Sequence, residues 1–123
     1  LVSIKLPLKN SSFSASYERF IPRNEMDIAV AAVASSVSLE NGKISSCRIA
    51  LAAVGPTPIF AEEASKLLVG KEPSEENIKN ASNKAKELAS PISDMRGTVE
   101  HRKDLIEVLT RRTLSKAVER VGV

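Results

Sequence analysis

Gly55-Pro56-Thr57-Pro58 divides this chain in two. Each proline removes a backbone donor and pushes the residue before it out of helical geometry, so neither a ladder nor a helix runs through the segment. Before it, apolar side chains recur at every second residue; after it, they recur at helical spacing. Strands that all precede the helices lack the βαβ alternation of a parallel sheet. The predicted class is therefore α+β, with an antiparallel sheet of about four strands followed by three helices packed on one face. At 123 residues the chain is one domain, 1–123, with a modest core.

Val2, Ile4 and Leu6 alternate with Ser3 and Lys5, the pattern of a short half-buried strand ended by Pro7. Phe13, Ala15 and Tyr17 alternate with Ser14, Ser16 and Glu18 in a second strand, expected to pair with the first. Ile28 to Ala34 is a run of small apolar residues, readable as strand or, because alanine favours helices, as helix. Val37 and Leu39 continue it to Asn41-Gly42, the hairpin dipeptide whose type I′ turn needs positive φ at both central residues. The return strand, Ile44 to Val54, puts Cys47, Ile49, Leu51 and Ala53 on one face and Arg48, Ala50 and Ala52 on the other. The sheet is expected to stop at Gly55-Pro56-Thr57-Pro58.

A first helix is predicted over about Ala61 to Val69, with Gly70 at its C′ position. Ser74 caps a second, which carries Glu75 and Glu76 in its first turn, turns Ile78, Ala81, Ala85 and Leu88 inward and ends before Pro91. Thr98 to Val121 forms the longest, with Leu105, Ile106, Leu109, Leu114, Ala117, Val118 and Val121 as its apolar stripe.

Aromatic residues are only 3% of the chain, so Ala, Val, Ile and Leu must build the core. The net charge of +3 arises almost wholly after His101, without the dense basic face or aromatic stacking platforms of a nucleic-acid binder. The chain is accordingly read as binding no nucleic acid. The single Cys47 allows no internal disulfide, and no apolar run is long enough to span a bilayer, so a cytoplasmic location is expected. Leu1 stands where an initiator Met would, inside a strand-like stretch, as in a piece of a longer protein.

Chemistry-bearing patterns are sparse. His101 is the only histidine and sits among charges near a helix start, where a surface residue is the simpler reading than a general base. No carboxylate spacing matches a zinc or calcium site, and neither a P-loop nor a GxGxxG follows a strand. Cys47, on a core-facing position, reads as a small buried hydrophobe. Two clusters stand out: Tyr17-Glu18-Arg19-Phe20 with Arg23 and Asp27, and Ser93-Asp94-Met95-Arg96-Gly97 with Glu100, His101 and Arg102.

Taken in order, those clusters together with Cys47-Arg48-Ile49-Ala50-Leu51, Val54-Gly55-Pro56-Thr57-Pro58 and Leu109-Thr110-Arg111-Arg112 resemble the C-terminal domain of the medium, FAD-binding subunits of molybdenum hydroxylases of the carbon monoxide dehydrogenase type. The resemblance covers essentially the whole chain, with two departures. The family commonly has Lys where Arg19 stands, and an aromatic, usually Tyr, where His101 stands.

The resemblance implies a fold like that family's C-terminal domain and a role in electron transfer inside an oxidoreductase complex. Electrons would pass from molybdopterin through iron-sulfur clusters on partner subunits to FAD and on to an external acceptor. It implies as partners an N-terminal FAD domain of the same subunit, absent from these residues, a molybdenum-containing large subunit and an iron-sulfur small subunit. Tyr17, Arg19 and Arg23 are candidates for the flavin edge, or for the interface with the FAD domain. Asp27, Asp94, Arg96, Gly97 and Arg102 are assigned to structural or interface roles, the last four of them around the turn into the final helix. The competing reading is a non-enzymatic α+β scaffold or subunit-interaction domain whose basic last helix docks an acidic partner.

Overall fold

The computed structural model describes residues 1–6, 13–20, 31–90 and 98–121. Its sheet has the order β1 (Phe13–Phe20), β2 (Ala31–Glu40), β3 (Lys43–Ala52), β4 (Ile59–Phe60), every neighbouring pair antiparallel. Helices α1 (Glu62–Leu68), α2 (Glu75–Leu88) and α3 (Val99–Val121) follow. α3 packs on β1 and β2, α1 on β3, and α2 against both helices. This is the α+β arrangement expected from the segregation of the two periodicities.

Asn41 and Gly42 adopt φ of 54° and 76°, so the hairpin turns as its dipeptide dictates. Just inside the turn, Ser38 pairs with Ser46 but Leu39 with Ile44, leaving Ser45 as the extra residue of a bulge. The Ser45 hydroxyl donates to the Ser38 carbonyl at 3.1 Å. Because of the bulge, Ile44 and Cys47, three residues apart, both face the helices and are buried.

Three strand expectations are corrected. Residues 1–6 form no strand, and Leu1, Val2, Ile4 and Leu6 are exposed. Alternation makes a two-sided ribbon but supplies no ladder partner, and β1 pairs with β2 instead. The fourth strand lies beyond Pro58, where the chain was expected to leave the sheet: Ile59 pairs with Leu51 and Phe60 with Ala50. Pro56 and Pro58 occupy the connection, so their missing donors fall outside that ladder. Ala53, expected on the core side of the return strand, is instead exposed, with φ of 65°, one residue past the end of β3. Of the ambiguous run Ile28 to Ala34, residues 31–34 are strand; the remainder, like Pro91, lies outside the described residues.

Val33, Val37, Ile49, Leu51 and Val54 from the sheet side meet Leu68, Ile78, Ile106 and Leu114 in one core. Polar groups within it are mostly paired. Thr113 donates to the Leu109 carbonyl at 2.9 Å, which makes Ser35 the donor of the 2.8 Å hydrogen bond between the two hydroxyls. Ser65 donates to the Ala61 carbonyl at 2.8 Å and accepts from the Ile49 amide at 3.0 Å, lacing the start of α1 to β3. Gly70, with φ of 80°, turns the chain out of α1 so that its amide reaches the Ile44 carbonyl at 2.7 Å. α2 begins as predicted, with the Ser74 hydroxyl accepting from the Asn77 amide at 3.2 Å. At the outer edge of the sheet, the Arg120 guanidinium donates to the Ala15 carbonyl of β1 at 2.7 Å.

Candidate functional site

Strand register decides which side chains share a face, because directly paired residues point the same way. Ser14 and Ser16 of β1 are buried towards α3, so the row Phe13, Ala15, Tyr17, Arg19 points to the opposite side, which is helix-free among the described residues. The more apolar row of β1 thus faces outward. Across the sheet, Tyr17 aligns with Ala34, Ala50 and Phe60, Arg19 with Ala32 and Ala52, and Ala15 with Ser36 and Arg48. The rows from Phe13–Ser38–Ser46 to Arg19–Ala32–Ala52 therefore carry two arginines and no carboxylate. Tyr17 is 59% exposed and Phe60 56%.

Tyr17 and Arg19 are thus placed side by side on this face. Arg23 and Asp27, and likewise Asp94, Arg96 and Gly97, lie outside the described residues. Arg102 lies in the first turns of α3 and is buried, at 5% exposure. Its guanidinium donates to the Ala53 carbonyl at 3.2 Å, tying α3 to the residue of positive φ that follows β3. Beside it, His101 is exposed and packs edge-on against Phe20, ring centroids 6.1 Å apart at 87°. The imidazole thus keeps an aromatic contact at the position where the family commonly carries Tyr.

Two members of this face were not picked out as site residues from the sequence. Arg48 was assigned to the side opposite Cys47, but its neighbour row, Ala15 and Ser36, becomes evident only from register. Phe60 joins the row of Tyr17 solely because β4 forms past two prolines.

Electrostatics elsewhere are less suggestive. Burial pushes the Cys47 thiol up to about 12, so it is no nucleophile at neutral pH. A groove of about 630 Å³ on the helix side is lined by Glu18, Glu75, Arg111, Arg112, Lys116 and Glu119 among others, balanced in charge. Three cations towards the end of α3 make contacts within the domain: Arg111 with Glu107 at 3.4 Å, Lys116 with Glu18 at 4.0 Å, and Arg120 with the β1 carbonyl. Among the described residues, no group of three His, Cys, Asp or Glu could hold a metal ion, and no helix is long and apolar enough to cross a membrane.

Residues 16–117 match the family described as the CO dehydrogenase flavoprotein C-terminal domain. The carbon monoxide dehydrogenase medium chain of Afipia carboxidovorans is 33% identical over 120 residues, 98% of this chain and 41% of its own length. The xanthine dehydrogenase FAD-binding subunit of Escherichia coli is 26% identical over 94% of this chain and 40% of its own. Among solved structures, reconstituted CO dehydrogenase from Oligotropha carboxidovorans superposes with a TM-score of 0.87 at 33% identity, covering 94% of this chain and 40% of that one. The chain thus spans about two fifths of the length of these relatives.

Proposed function

The chain belongs to the family of CO dehydrogenase flavoprotein C-terminal domains, and on that footing we propose that it serves as the C-terminal domain of the FAD-containing electron-transfer subunit of a molybdenum hydroxylase. The other three fifths of such a subunit would include the N-terminal domain that holds most of the FAD. A molybdopterin-bearing large subunit and an iron-sulfur small subunit would be its partners, in the cytoplasm. FAD, when bound, supplies the site that takes electrons from the iron-sulfur clusters and delivers them to an external acceptor.

The observation that carries this reading is the placement of Tyr17 and Arg19 side by side on a sheet face whose rows from Phe13–Ser38–Ser46 to Arg19–Ala32–Ala52 carry no carboxylate. The donor set fits a flavin. The Tyr17 ring offers a flat apolar surface and a hydroxyl, and Arg19 offers fixed positive charge and planar donors, which favour electron uptake by a neighbouring isoalloxazine. Arg48 adds positive charge on the same face, and Arg23 is proposed as a further contact. Asp27, Asp94, Arg96, Gly97 and Arg102 are proposed to serve structural or interface roles. Intradomain contacts of Arg111, Lys116 and Arg120 weigh against the scaffold reading, in which the basic last helix docks an acidic partner.

In the full-length subunit, Tyr17→Ala and Arg19→Ala are expected to weaken FAD retention or slow its reduction by roughly tenfold, the scale of one good hydrogen bond or stacking contact. Arg19→Lys should restore much of the loss, because the charge is kept. Flavin content, visible spectrum and reduction rate unchanged in both alanine variants would remove these residues from the site.

A further inference from the structure

Phe60 stands at the far end of the row that Tyr17 begins, yet its strand is held by only two ladder partners, Ile59 with Leu51 and Phe60 with Ala50. So short a strand has too little ladder to fix its own place, and the link of residues 53–58 must bring the chain back. That link starts with a bend that alanine resists: Ala53 holds φ at 65°, where its Cβ crowds the carbonyl that follows. Three neighbours impose the bend and what comes after it. Arg102, buried at 5% exposure, reaches from the first turns of α3 and donates to the Ala53 carbonyl at 3.2 Å. The Ser90 amide donates to the carbonyl of the fully buried Val54 at 2.8 Å. Gly55 packs on Ile59, where an added Cβ would come within 2.9 Å of Cδ1.

A residue in a disfavoured conformation persists only where its surroundings impose it, and a guanidinium is costly to take out of water. Both costs meet in one contact, Arg102 to Ala53, one residue past the row Arg19–Ala32–Ala52. We propose that Arg102 is a positioning residue for the flavin face: by holding Ala53 in the left-handed conformation it aims the link, and so sets β4 with Phe60 in the row of Tyr17. The proposal rests on the FAD-subunit reading above.

Two variants of the full-length subunit attack the bend from opposite sides. Arg102→Met removes the clasp at similar bulk. Ala53→Val keeps the arginine but puts a β-branched residue where φ is positive, at an exposed position that spares the core. With FAD stripped and titrated back by flavin fluorescence, both are expected to raise the FAD dissociation constant at least roughly tenfold, as small displacements of a binding group do. Adding Ala53→Gly to Arg102→Met should return it to within about threefold of the parent, because glycine takes positive φ without a clasp. Ser74→Ala, which removes the α2 cap away from this face, should leave it unchanged. A loss that Ala53→Gly fails to restore, or one that Ser74→Ala shares, would overturn the proposal and reduce Arg102 to a stabiliser of the fold. Unaltered FAD binding in both Arg102→Met and Ala53→Val, with Tyr17→Ala and Arg19→Ala impaired, would also overturn it and leave the FAD-subunit reading standing. No FAD uptake by the parent subunit would sink that reading and the proposal with it.

Discussion

Thr110 carries a hydroxyl into the core with no hydrogen-bond partner among the described residues. A buried, unsatisfied hydroxyl costs roughly 1–3 kcal/mol, whereas a methyl of the same shape costs nothing there. Thr110→Val is expected to raise stability by about 1 kcal/mol, read as a higher denaturant midpoint at unchanged slope; a lower midpoint would mean that the hydroxyl is paired. Cys47 sets a pH dependence. Its folded pKa lies above its unfolded value near 9, so the folded state keeps the proton longer. The contribution is complete below about pH 9 and declines as pH rises towards 12, by at most about 1.4 kcal/mol per unit. Stability curves of Cys47→Ala should be flatter over that window, and identical slopes would contradict the assignment. The burial of Cys47 was legible from strand alternation. That of Arg102 was not, because it depends on the Ala53 carbonyl 49 positions away, a contact that no local pattern encodes.

At the scale of elements, local chemistry is decisive where a single residue satisfies orphan backbone groups. Ser74→Ala removes the acceptor for the Asn77 amide and is expected to cost about 1 kcal/mol by denaturant unfolding. Ser74→Asp should restore it, and equal stability of Ser74→Ala would show the cap to be idle. The same local logic made the hairpin, α2 and α3 readable. It failed for residues 1–6, whose alternation is real but whose partner is not in the domain's sheet. For β4 it failed differently: two residues carry too little periodicity to register, and only the neighbouring β3 edge makes them a strand. β1 was legible as a strand, but its alternation did not say which row faces the core: α3 packs on the serine row and leaves Tyr17 outside.

For the whole molecule, the family reading predicts a division of labour. This domain by itself should leave flavin fluorescence unchanged, and the domain joined to its upstream segment should yield a yellow protein with FAD bound; tight binding to the domain alone would relocate the flavin site. The order of elements and the ordered motifs made fold class and family legible. The face that unites Tyr17, Arg19, Arg48 and Phe60 required the register of four strands, which sequence spacing does not contain. One contact between the two ends of the chain bears on solubility. β1 is an edge strand, and its Ala15 carbonyl, which an incoming strand from another molecule would need, is already occupied by Arg120 from the last turn of α3. Arg120 thus blocks one acceptor that self-pairing along this edge would use, and its removal would leave that carbonyl open to a neighbour.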